Sequence, residues 1–449
     1  MIGGGPAGYG AALYGAGAGL SVALVERDKV GGTCLHRGCI PAKHMLETAT
    51  VFRTVSGAKE FGVMADQPTL DFPTSQARKQ KVVDQLWKGL QSLMKSRKIT
   101  IINGTGTLGP DHTVTVGKKK ITGRHIALAS GSVPRTLPGF DVDGKTVLTS
   151  DEVLELEKLP SSVAVIGGGA IGCEFASLMN DLGVQVTLLE AMPKLLPGCD
   201  ADVVEVVARS LKKRGIDVRT GVQVSGHEPA NGVTTVKLDD GTSVIVESVI
   251  VSVGRRPLSD SLGLDATDVE VGERGFVTVD DHMRTTEAGV YALGDLVDTP
   301  QLAHVGFAEA IVAVKDMIGE HAIPVDYSKV PWCIYCFPEV AFAGMTEQAA
   351  RDAGHDVVVA KHRFQANSRA LIIGEPEGLV KVIADGAGGP LLGVHMVGPM
   401  VTEQLAEGWL SVNWEATPQD VSQFVHPHPS LSETFGETVM SLTGRGLHG

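Results

Sequence analysis

The sequence predicts a multidomain α/β protein in which a strand–turn–helix–strand unit occurs twice. The first observation is size and composition: 449 residues, 43% of them hydrophobic and 20% charged, describe a globular chain too long for one core, so about three domains are expected. The second is the spacing Gly-x-Gly-x-x-Gly, which occurs in two places. The third is that each glycine cluster leads into a helical segment and then an apolar strand that ends in a glutamate.

The first glycine cluster lies at the N-terminus and consists of Gly3, Gly5 and Gly8, with Glu26 at the end of the next strand. Glycines at this spacing let a pyrophosphate approach a helix N-terminus, and the carboxylate can accept ribose hydroxyls. This pattern predicts a Rossmann-like dinucleotide-binding domain. Only two residues precede the first glycine, so nearly all of a strand that should be central and buried is missing. Either the sequence begins downstream of its natural start or the domain is compromised, and we favour the first explanation.

The second cluster is complete. A strand at 163–166 leads into Gly167, Gly169 and Gly172, and the next strand ends at Glu190. Two full copies in one chain predict two bound dinucleotides. Glu190 would repel a 2′-phosphate and the next few residues contain no arginine, so NAD is favoured over NADP; Lys194 is the weaker alternative as a phosphate partner.

Two cysteines come after the first unit in the stretch GGTCLHRGCIPAK, at Cys34 and Cys39. In a regular helix, residues five apart are too distant for a disulfide, which needs Cα atoms within about 7 Å. Gly38 and Pro41 give the chain a means to depart from a regular helix. A strained disulfide is typically reducible and catalytic, whereas the alternative is two unpaired thiols.

Composition excludes several classes of function. A net charge of −13 argues against a nucleic-acid partner. Six cysteines are too few for a disulfide scaffold and indicate a reducing compartment, so we expect a cytoplasmic location. The uncharged N-terminus lacks the basic start of an export signal, and we expect no membrane span. Cys333 and Cys336 form a C-x-x-C without a second such pair, so they are expected to be structural, with no metal site.

GGTCLHRGCIPAK resembles the redox-disulfide motif of the pyridine nucleotide-disulfide oxidoreductases, and the resemblance extends over essentially the whole chain. It implies FAD in the first domain, NAD in the second, and a redox disulfide in which Cys39 lies nearer the flavin. The segments IALASGSVPRTLPG, VSVGRRP and GVYALGDLVDTPQLAHVGFAEA match further family motifs. By this resemblance, further cofactor contacts come from Gly32, Thr33, Gly131, Gly254, Asp295, Leu302, Ala303 and His304.

The C-terminal segment FVHPHPSLSETFGE resembles the family's interface motif, which implies that His428 is the catalytic base and that Glu433 orients it. His426 is the alternative base. In the family this pair reaches the disulfide of the opposite subunit, so the resemblance implies a homodimer. It also implies an ion pair of Lys43 and Glu174 on the flavin side, for which the alternative is two surface charges. His36 and Arg37 stand between the cysteines in place of the commoner Asn-Val; so close a guanidinium would favour a thiolate.

The resemblance also implies the domain order. We expect an FAD domain at 1–140, an NAD domain at 141–258, a return to the FAD domain at 259–325 and an α+β interface domain at 326–449. The paired cysteines, the acid at Glu190 and the two-histidine motif favour the branch that oxidises protein-bound dihydrolipoamide with NAD. Expected partners are the lipoyl and peripheral subunit-binding domains of a 2-oxoacid dehydrogenase acyltransferase, or a glycine-cleavage H protein. Alternatives are a glutathione-reductase-like enzyme and a non-catalytic structural subunit.

Overall fold

The computed structural model describes residues 1–386 and 388–448. The helices are α1 (Pro6–Gly17), α2 (Gly32–His36), α3 (Cys39–Gly57), α4 (Phe72–Ser96), α5 (Ser150–Leu154), α6 (Ala170–Asp181), α7 (Ala201–Lys213), α8 (Ala303–Met317), α9 (Glu347–Asp352), α10 (Ser368–Ile372), α11 (Val401–Asn413), α12 (Pro418–Val421) and α13 (Glu433–Leu442). Within the described residues, every helix is too short or too polar to cross a membrane.

The same described residues also form strands, several of which follow one another without a helix between them. They are β1 (Ala23–Glu26), β2 (Thr100–Asn103), β3 (Gly106–Gly109), β4 (Thr113–Val116), β5 (Lys119–Thr122), β6 (Ile126–Leu128), β7 (Ser132–Pro134), β8 (Val147–Leu148), β9 (Ser162–Ile166), β10 (Gln185–Glu190), β11 (Asp217–Thr220), β12 (Val224–Ala230), β13 (Val233–Leu238), β14 (Ser243–Val246), β15 (Ser248–Val251), β16 (Arg255–Pro257), β17 (Val290–Ala292), β18 (Trp332–Ile334), β19 (Glu339–Gly344), β20 (Val357–Arg363), β21 (Leu379–Asp385) and β22 (Leu391–Gly398). The predicted α/β class is confirmed.

The first domain is built on parallel strand pairs: β1 pairs with β2, and β6 with β17. Helices α1 and α8 pack against each other through alanines, among them Ala11 and Ala310, which are fully buried. Small side chains allow this close approach, and it places the N-termini of both helices beside the same end of the sheet. Strands β3, β4 and β5 form a separate antiparallel sheet in this part of the chain.

The two residues before the first glycine occupy the central place in this sheet. The Ile2 N–H donates to Ala127 O at 2.8 Å, and its carbonyl accepts from Ala129 N at 2.8 Å, while Ile2 also bridges to β1 in parallel register. The Met1 ammonium donates to Ala23 O at 2.9 Å, and burial lowers its pKa to about 6. These two residues therefore lie between β1 and β6 and are hydrogen-bonded to residues of both segments.

The second domain contains one five-stranded parallel sheet in the order β11-β10-β9-β15-β8. Its central strand reads Ser-Val-Ala-Val-Ile, with four of the five residues buried, as expected for a strand covered on both faces. Helix α6 comes directly after that strand, and β12, β13 and β14 add a small antiparallel sheet. The pairing of β16 with β7 connects this domain to the first.

The C-terminal domain is an antiparallel sheet in the order β18-β19-β22-β21-β20, on which α11 and α13 pack. Its core includes the fully or almost fully buried Phe364, Met396 and Phe435. The combination of an antiparallel sheet with covering helices is the α+β arrangement that was predicted for this region.

A buried lysine joins the C-terminal domain to the second domain. Lys381 on β21 is 1% exposed, and its Nζ lies 2.8 Å from Asp200 Oδ1, 2.6 Å from Asp202 Oδ2 and 2.8 Å from Glu347 Oε2. Asp200 is itself the N-cap of α7 and accepts from the Asp202 N–H. Removing one partner from such a buried ion pair typically costs about 3–5 kcal/mol, so this contact holds the two domains in a fixed arrangement.

Candidate active site

A cavity of about 1240 Å³ extends from the first glycine turn, past the two cysteines, to the second glycine turn. Its volume is larger than the range of about 300–1,000 Å³ typical of small-molecule sites, which suits an extended dinucleotide. It brings together fifteen of the predicted site residues: Gly3, Gly5, Glu26, Gly32, Thr33, Cys34, Cys39, Lys43, Gly131, Gly169, Glu174, Gly254, Asp295, Leu302 and Ala303. The remaining seven lie outside its lining: Gly8, Gly167, Gly172, Glu190, His304, His428 and Glu433.

The first glycine turn is shaped for close approach. A Cβ on Gly8 would lie 1.9 Å from the carbonyl oxygen of Gly3, so only glycine lets α1 start so near the strand. The N-cap of α1 is Gly5, which carries no side chain over the exposed N–H groups. Glu26 Oε2 accepts from Gly4 N at 2.6 Å, which fixes the carboxylate beside the turn. These residues fit the pyrophosphate and ribose of a dinucleotide such as FAD.

The second turn repeats this geometry. A Cβ on Gly172 would lie 1.8 Å from the carbonyl oxygen of Gly167, and the N-cap of α6 is again a glycine, Gly169. Glu190 accepts from Gly168 N at 2.5 Å through Oε2 and from Met192 N at 2.7 Å through Oε1. Gly167, Gly172 and Glu190 do not line the cavity themselves, but the turn as a whole fits a second dinucleotide.

We expect substitution of Glu190 to change the nucleotide preference. The Glu190→Gln variant keeps an acceptor for the Gly168 N–H but removes the charge that opposes a 2′-phosphate, so the ratio of kcat/KM for NAD to that for NADP should fall by at least about tenfold. Steady-state kinetics with both nucleotides measure this ratio. The matched control is Glu26→Gln at the first turn, which should leave the ratio unchanged. An unaltered ratio in Glu190→Gln would mean that another group selects the nucleotide.

The two cysteines lie on different helices. Cys34 is in α2 and Cys39 is the first residue of α3, with the helix interrupted at Arg37 and Gly38. The expected departure from a regular helix is therefore present. In the dithiol form the Cys34 thiol is hydrogen-bonded to Cys39, which lowers the pKa of Cys39 to about 7 and raises that of Cys34. The Lys43 charge lowers the pKa of Cys39 further, so Cys39 is the thiol suited to persist as a thiolate.

Lys43 lies one turn along α3 from Cys39 and pairs with Glu174 of α6. Its Nζ is 2.8 Å from both Oε1 and Oε2 of the glutamate, whose side chain is only 9% exposed. The predicted ion pair is therefore present, whereas Glu174 is not the surface charge of the alternative interpretation. The ion pair lies in the cavity wall and joins α3, which begins at Cys39, to α6, which follows the second glycine turn.

His36 and Arg37, which stand between the two cysteines, contact the loop that follows β1. The Arg37 guanidinium forms an ion pair with Asp28, and the cation that lowers the pKa of Cys39 is Lys43. His36 Nε2 lies 3.0 Å from Val30 O. The pair His36-Arg37 thus fastens α2 to the loop after β1, and an effect of Arg37 on the thiolate stays a prediction.

Asp295 is held by residues that the sequence analysis did not assign to the site. The Ser132 hydroxyl donates to Asp295 Oδ2 at 2.5 Å, and Arg255 Nε donates to the Ser132 hydroxyl oxygen at 2.7 Å. Behind this turn the fully buried Glu309 accepts from Gly294 N at 2.6 Å, and burial raises its pKa. All three residues lie in segments that match family motifs, but the motifs did not assign them a role at the site.

The histidine motif at the C-terminus lies outside the cavity of its own chain. His428 Nδ1 is 2.8 Å from Glu433 Oε2, as the motif predicted, and the histidine side chain is 75% exposed. His426 instead pairs with Glu407 at 2.8 Å, which raises its pKa, and its side chain is only 13% exposed. Of the two imidazoles, His428 is the one free to approach another molecule.

Two further predictions concern residues near the cavity. His304 is the second residue of α8, but its imidazole Nε2 is 2.9 Å from Pro331 O instead of lining the cavity. Cys333 lines the cavity from β18, while Cys336 is buried with its thiol 3.2 Å from Pro338 O. Among the described residues no group of three or more metal-ligating side chains is placed to hold a metal ion.

Two nucleotide turns that share one cavity with a dithiol define the class of protein. The chain is a flavoprotein disulfide oxidoreductase whose cofactors are FAD and NAD. It belongs to the pyridine nucleotide-disulphide oxidoreductase family: the family model matches residues 1–310, and the model of the family's dimerisation domain matches residues 330–439. The predicted family and cofactors are thereby confirmed, and the dimerisation domain supports a homodimer.

Curated relatives and solved structures resemble the chain over nearly its full length. It is 41% identical to a dihydrolipoyl dehydrogenase of Bacillus subtilis and 39% identical to one of Thermus scotoductus, in each case over all of this chain and 98% of the relative. The crystal structure of LpdA from Mycobacterium tuberculosis superposes with a TM-score of 0.92 at 26% identity, covering 98% of both chains. The HOCl-induced flavoprotein disulfide reductase RclA of Escherichia coli gives 0.89 at 27%, with the same coverage.

Proposed function

We propose that the protein oxidises protein-bound dihydrolipoamide and reduces NAD, which is the activity of a dihydrolipoyl dehydrogenase. The observation that carries the proposal is the position of Cys34 and Cys39 in one cavity between two nucleotide turns, with Lys43 beside the thiol of lower pKa. The names of the relatives that match the chain over its full length support this substrate.

The protein side chains would act first on the substrate dithiol. His428 of the partner subunit removes a proton from one thiol, and the resulting thiolate attacks Cys34 Sγ of the Cys34–Cys39 disulfide. The S–S bond breaks and Cys39 leaves as a thiolate, which the Cys34 thiol and the Lys43 charge stabilise once the substrate has departed. The second substrate thiol then attacks the substrate sulfur of the mixed disulfide and closes the lipoyl disulfide. Cys34 is released as a thiolate and takes up the proton of the second substrate thiol, while the first proton remains on His428 of the partner subunit, so two electrons have passed from the substrate to the cysteine pair.

The remaining electron transfer requires both cofactors. FAD, when bound, supplies the redox chemistry that passes the two electrons of the dithiol to NAD. The chain contributes the two glycine turns, the Glu26 and Glu190 carboxylates that support them, and the Asp295 turn. Its task is to hold the thiols and the two nucleotides in line and away from water.

The proposal extends to the partners and to the division of the chain. A homodimer would bring the exposed His428–Glu433 pair of one subunit to the cysteines of the other, since the pair lies outside the cavity of its own chain. The substrate would arrive on a lipoyl domain of a 2-oxoacid dehydrogenase acyltransferase, whose peripheral subunit-binding domain would hold the dimer, or on a glycine-cleavage H protein. We keep the domain limits 1–140, 141–258, 259–325 and 326–449 as part of this proposal.

An anaerobic visible spectrum tests the proposed function. One equivalent of dihydrolipoamide should add a long-wavelength charge-transfer band to the flavin spectrum, because Cys39 then persists as a thiolate, and NAD should remove the band as NADH appears. A parallel sample receives reduced glutathione, a monothiol, as the control and should not develop the band. A flavin spectrum that does not respond to dihydrolipoamide would contradict this substrate, and a colourless protein would contradict bound FAD.

A further inference from the structure

The Lys43–Glu174 ion pair is covered by a residue of the C-terminal domain that no motif assigned to the site. Tyr335 lies just after β18, and its ring is 4.8 Å from Lys43 Nζ, measured to the ring centroid. Its backbone N–H donates to Glu174 Oε1 at 2.9 Å. One residue therefore contacts both members of the pair, the cation through its ring and the carboxylate through its amide.

The two contacts act on different charges: the ring on the Lys43 ammonium and the amide on the Glu174 carboxylate. A cation within about 6 Å of a tyrosine ring is attracted to the face of the ring, and the attraction is larger where water is excluded. The Glu174 side chain is 9% exposed and that of Lys43 is 34% exposed, so the ammonium keeps access to water on one side. The Tyr335 ring confines the Lys43 ammonium on its other side, while the Tyr335 amide fixes the Glu174 carboxylate.

A second contact from the same segment provides an internal comparison. Phe337, two residues on, stacks under the Arg53 guanidinium at 3.9 Å, and its N–H donates to the Ser177 hydroxyl at 2.9 Å. Arg53 lies on α3, about three turns beyond Lys43, and pairs with Asp181 on α6. The segment 335–337 thus contacts both α3 and α6 at two places. Tyr335 does so beside the cysteines, and Phe337 does so far from them.

We propose that Tyr335 is a positioning residue of the redox centre, which holds the Lys43 ammonium beside Cys39 through its ring and orients Glu174 through its amide. The inference rests on the proposed function only in taking Cys39 as the thiol that faces the flavin. It assigns a role in the redox centre to the C-terminal domain of the same subunit, in addition to the histidine pair that would serve the other subunit.

The charged and titratable groups around Cys39 determine how the role can be measured. They are Cys34 on α2, Lys43 on α3, Glu174 on α6 and Tyr9 on α1, with Cys333 of β18 near Lys43. Among these only Lys43 contributes a positive charge. Burial raises the pKa of Tyr335 to about 12, so its phenol stays neutral over the range in which Cys39 titrates.

The test is the pH dependence of Cys39 alkylation in the reduced holoprotein. The protein is reduced, desalted under nitrogen and exposed briefly to iodoacetamide, which reacts with the thiolate. Arg37 separates the cysteines into different tryptic peptides, 30–37 and 38–43, so mass spectrometry reports Cys39 alone. In Tyr335→Leu and Tyr335→Met, the pH of half-maximal alkylation should rise by about half a unit, because Lys43 is less firmly held. Tyr335→Phe keeps the ring and should match the unaltered protein.

Two controls separate positioning from general destabilisation. Phe337→Leu loosens the distant contact and should lower the thermal transition without moving the Cys39 profile. In a Lys43→Met background, Tyr335→Leu should have no further effect on the profile, since the cation that it positions is gone. An unshifted profile in folded Tyr335→Leu or Tyr335→Met would overturn the proposal. The test uses no lipoyl substrate, so the alkylation profile can be interpreted even if the proposed function is wrong.

Discussion

Replacement of either redox cysteine should abolish dihydrolipoamide-dependent reduction of NAD. Cys34→Ser removes the sulfur that the substrate attacks, and Cys39→Ser removes the leaving thiolate, so neither variant can form the disulfide that accepts the electrons. Steady-state assays with dihydrolipoamide and NAD measure the loss. The flavin spectrum of each variant reports whether the cavity is still formed, since the glycine turns are untouched.

The matched control is Cys333→Ser, which changes a thiol that lines the same cavity. Burial raises the pKa of Cys333 to about 11, so it is a poor nucleophile near neutral pH, and the serine variant should remain active. Full activity in Cys34→Ser or Cys39→Ser would remove the cysteine pair from the mechanism. Loss of activity in Cys333→Ser alone would show that the reactive thiol had been misassigned.

Replacement of His428 by glutamine should lower kcat by about 10²–10⁴-fold, the usual contribution of a positioned base, while the flavin remains bound. Glutamine keeps a hydrogen-bonding group for Glu433 but cannot take a proton from the substrate thiol. Rapid mixing of the oxidised protein with dihydrolipoamide should locate the loss in reduction of the cysteine pair. Reoxidation by NAD should proceed as in the unaltered protein, because that half of the reaction does not involve the substrate base.

His426→Gln is the control for this variant. In the unaltered protein the His426 imidazole is already paired with Glu407. It also lies against Gly436, where an added Cβ would come within 2.4 Å of His426 Nδ1. We expect its effect to appear mainly in stability, with the rate of cysteine reduction close to that of the unaltered protein. A larger rate loss in His426→Gln than in His428→Gln would show that the base had been assigned to the wrong histidine.

The sequence predicted those parts of the site that depend on local patterns. The glycine turns, with Glu26 and Glu190, were predictable because a pyrophosphate-binding turn permits few residues at few spacings. The ion pair of Lys43 with Glu174 and that of His428 with Glu433 were implied by the family motifs, and the structure places both pairs at 2.8 Å. Where the sequence carried such a constraint, residue positions translated directly into contacts.

Contacts between distant segments that no family motif specifies could not be predicted in this way. Tyr335 meets Glu174 across 161 residues of chain, and Ser132 meets Asp295 across 163. Neither contact depends on a turn geometry or a periodicity that a single sequence would display. The ion pair of Arg37 with Asp28 was not predicted either, although the two residues are only nine apart, because no motif specifies it.

The buried Lys381 between the second and C-terminal domains affects how the protein unfolds. While the C-terminal domain covers it, Asp200 is only 2% exposed, so removal of Lys381 alone would leave this carboxylate buried without its counter-ion and would weaken the contact between the two domains. Heating should therefore melt the two together in a single cooperative transition. A fragment that ends before β18 should not behave as an independent folding unit, because it would lack Ile334, Cys336 and Val340, which pack in the same core as the strands of its nucleotide-binding sheet.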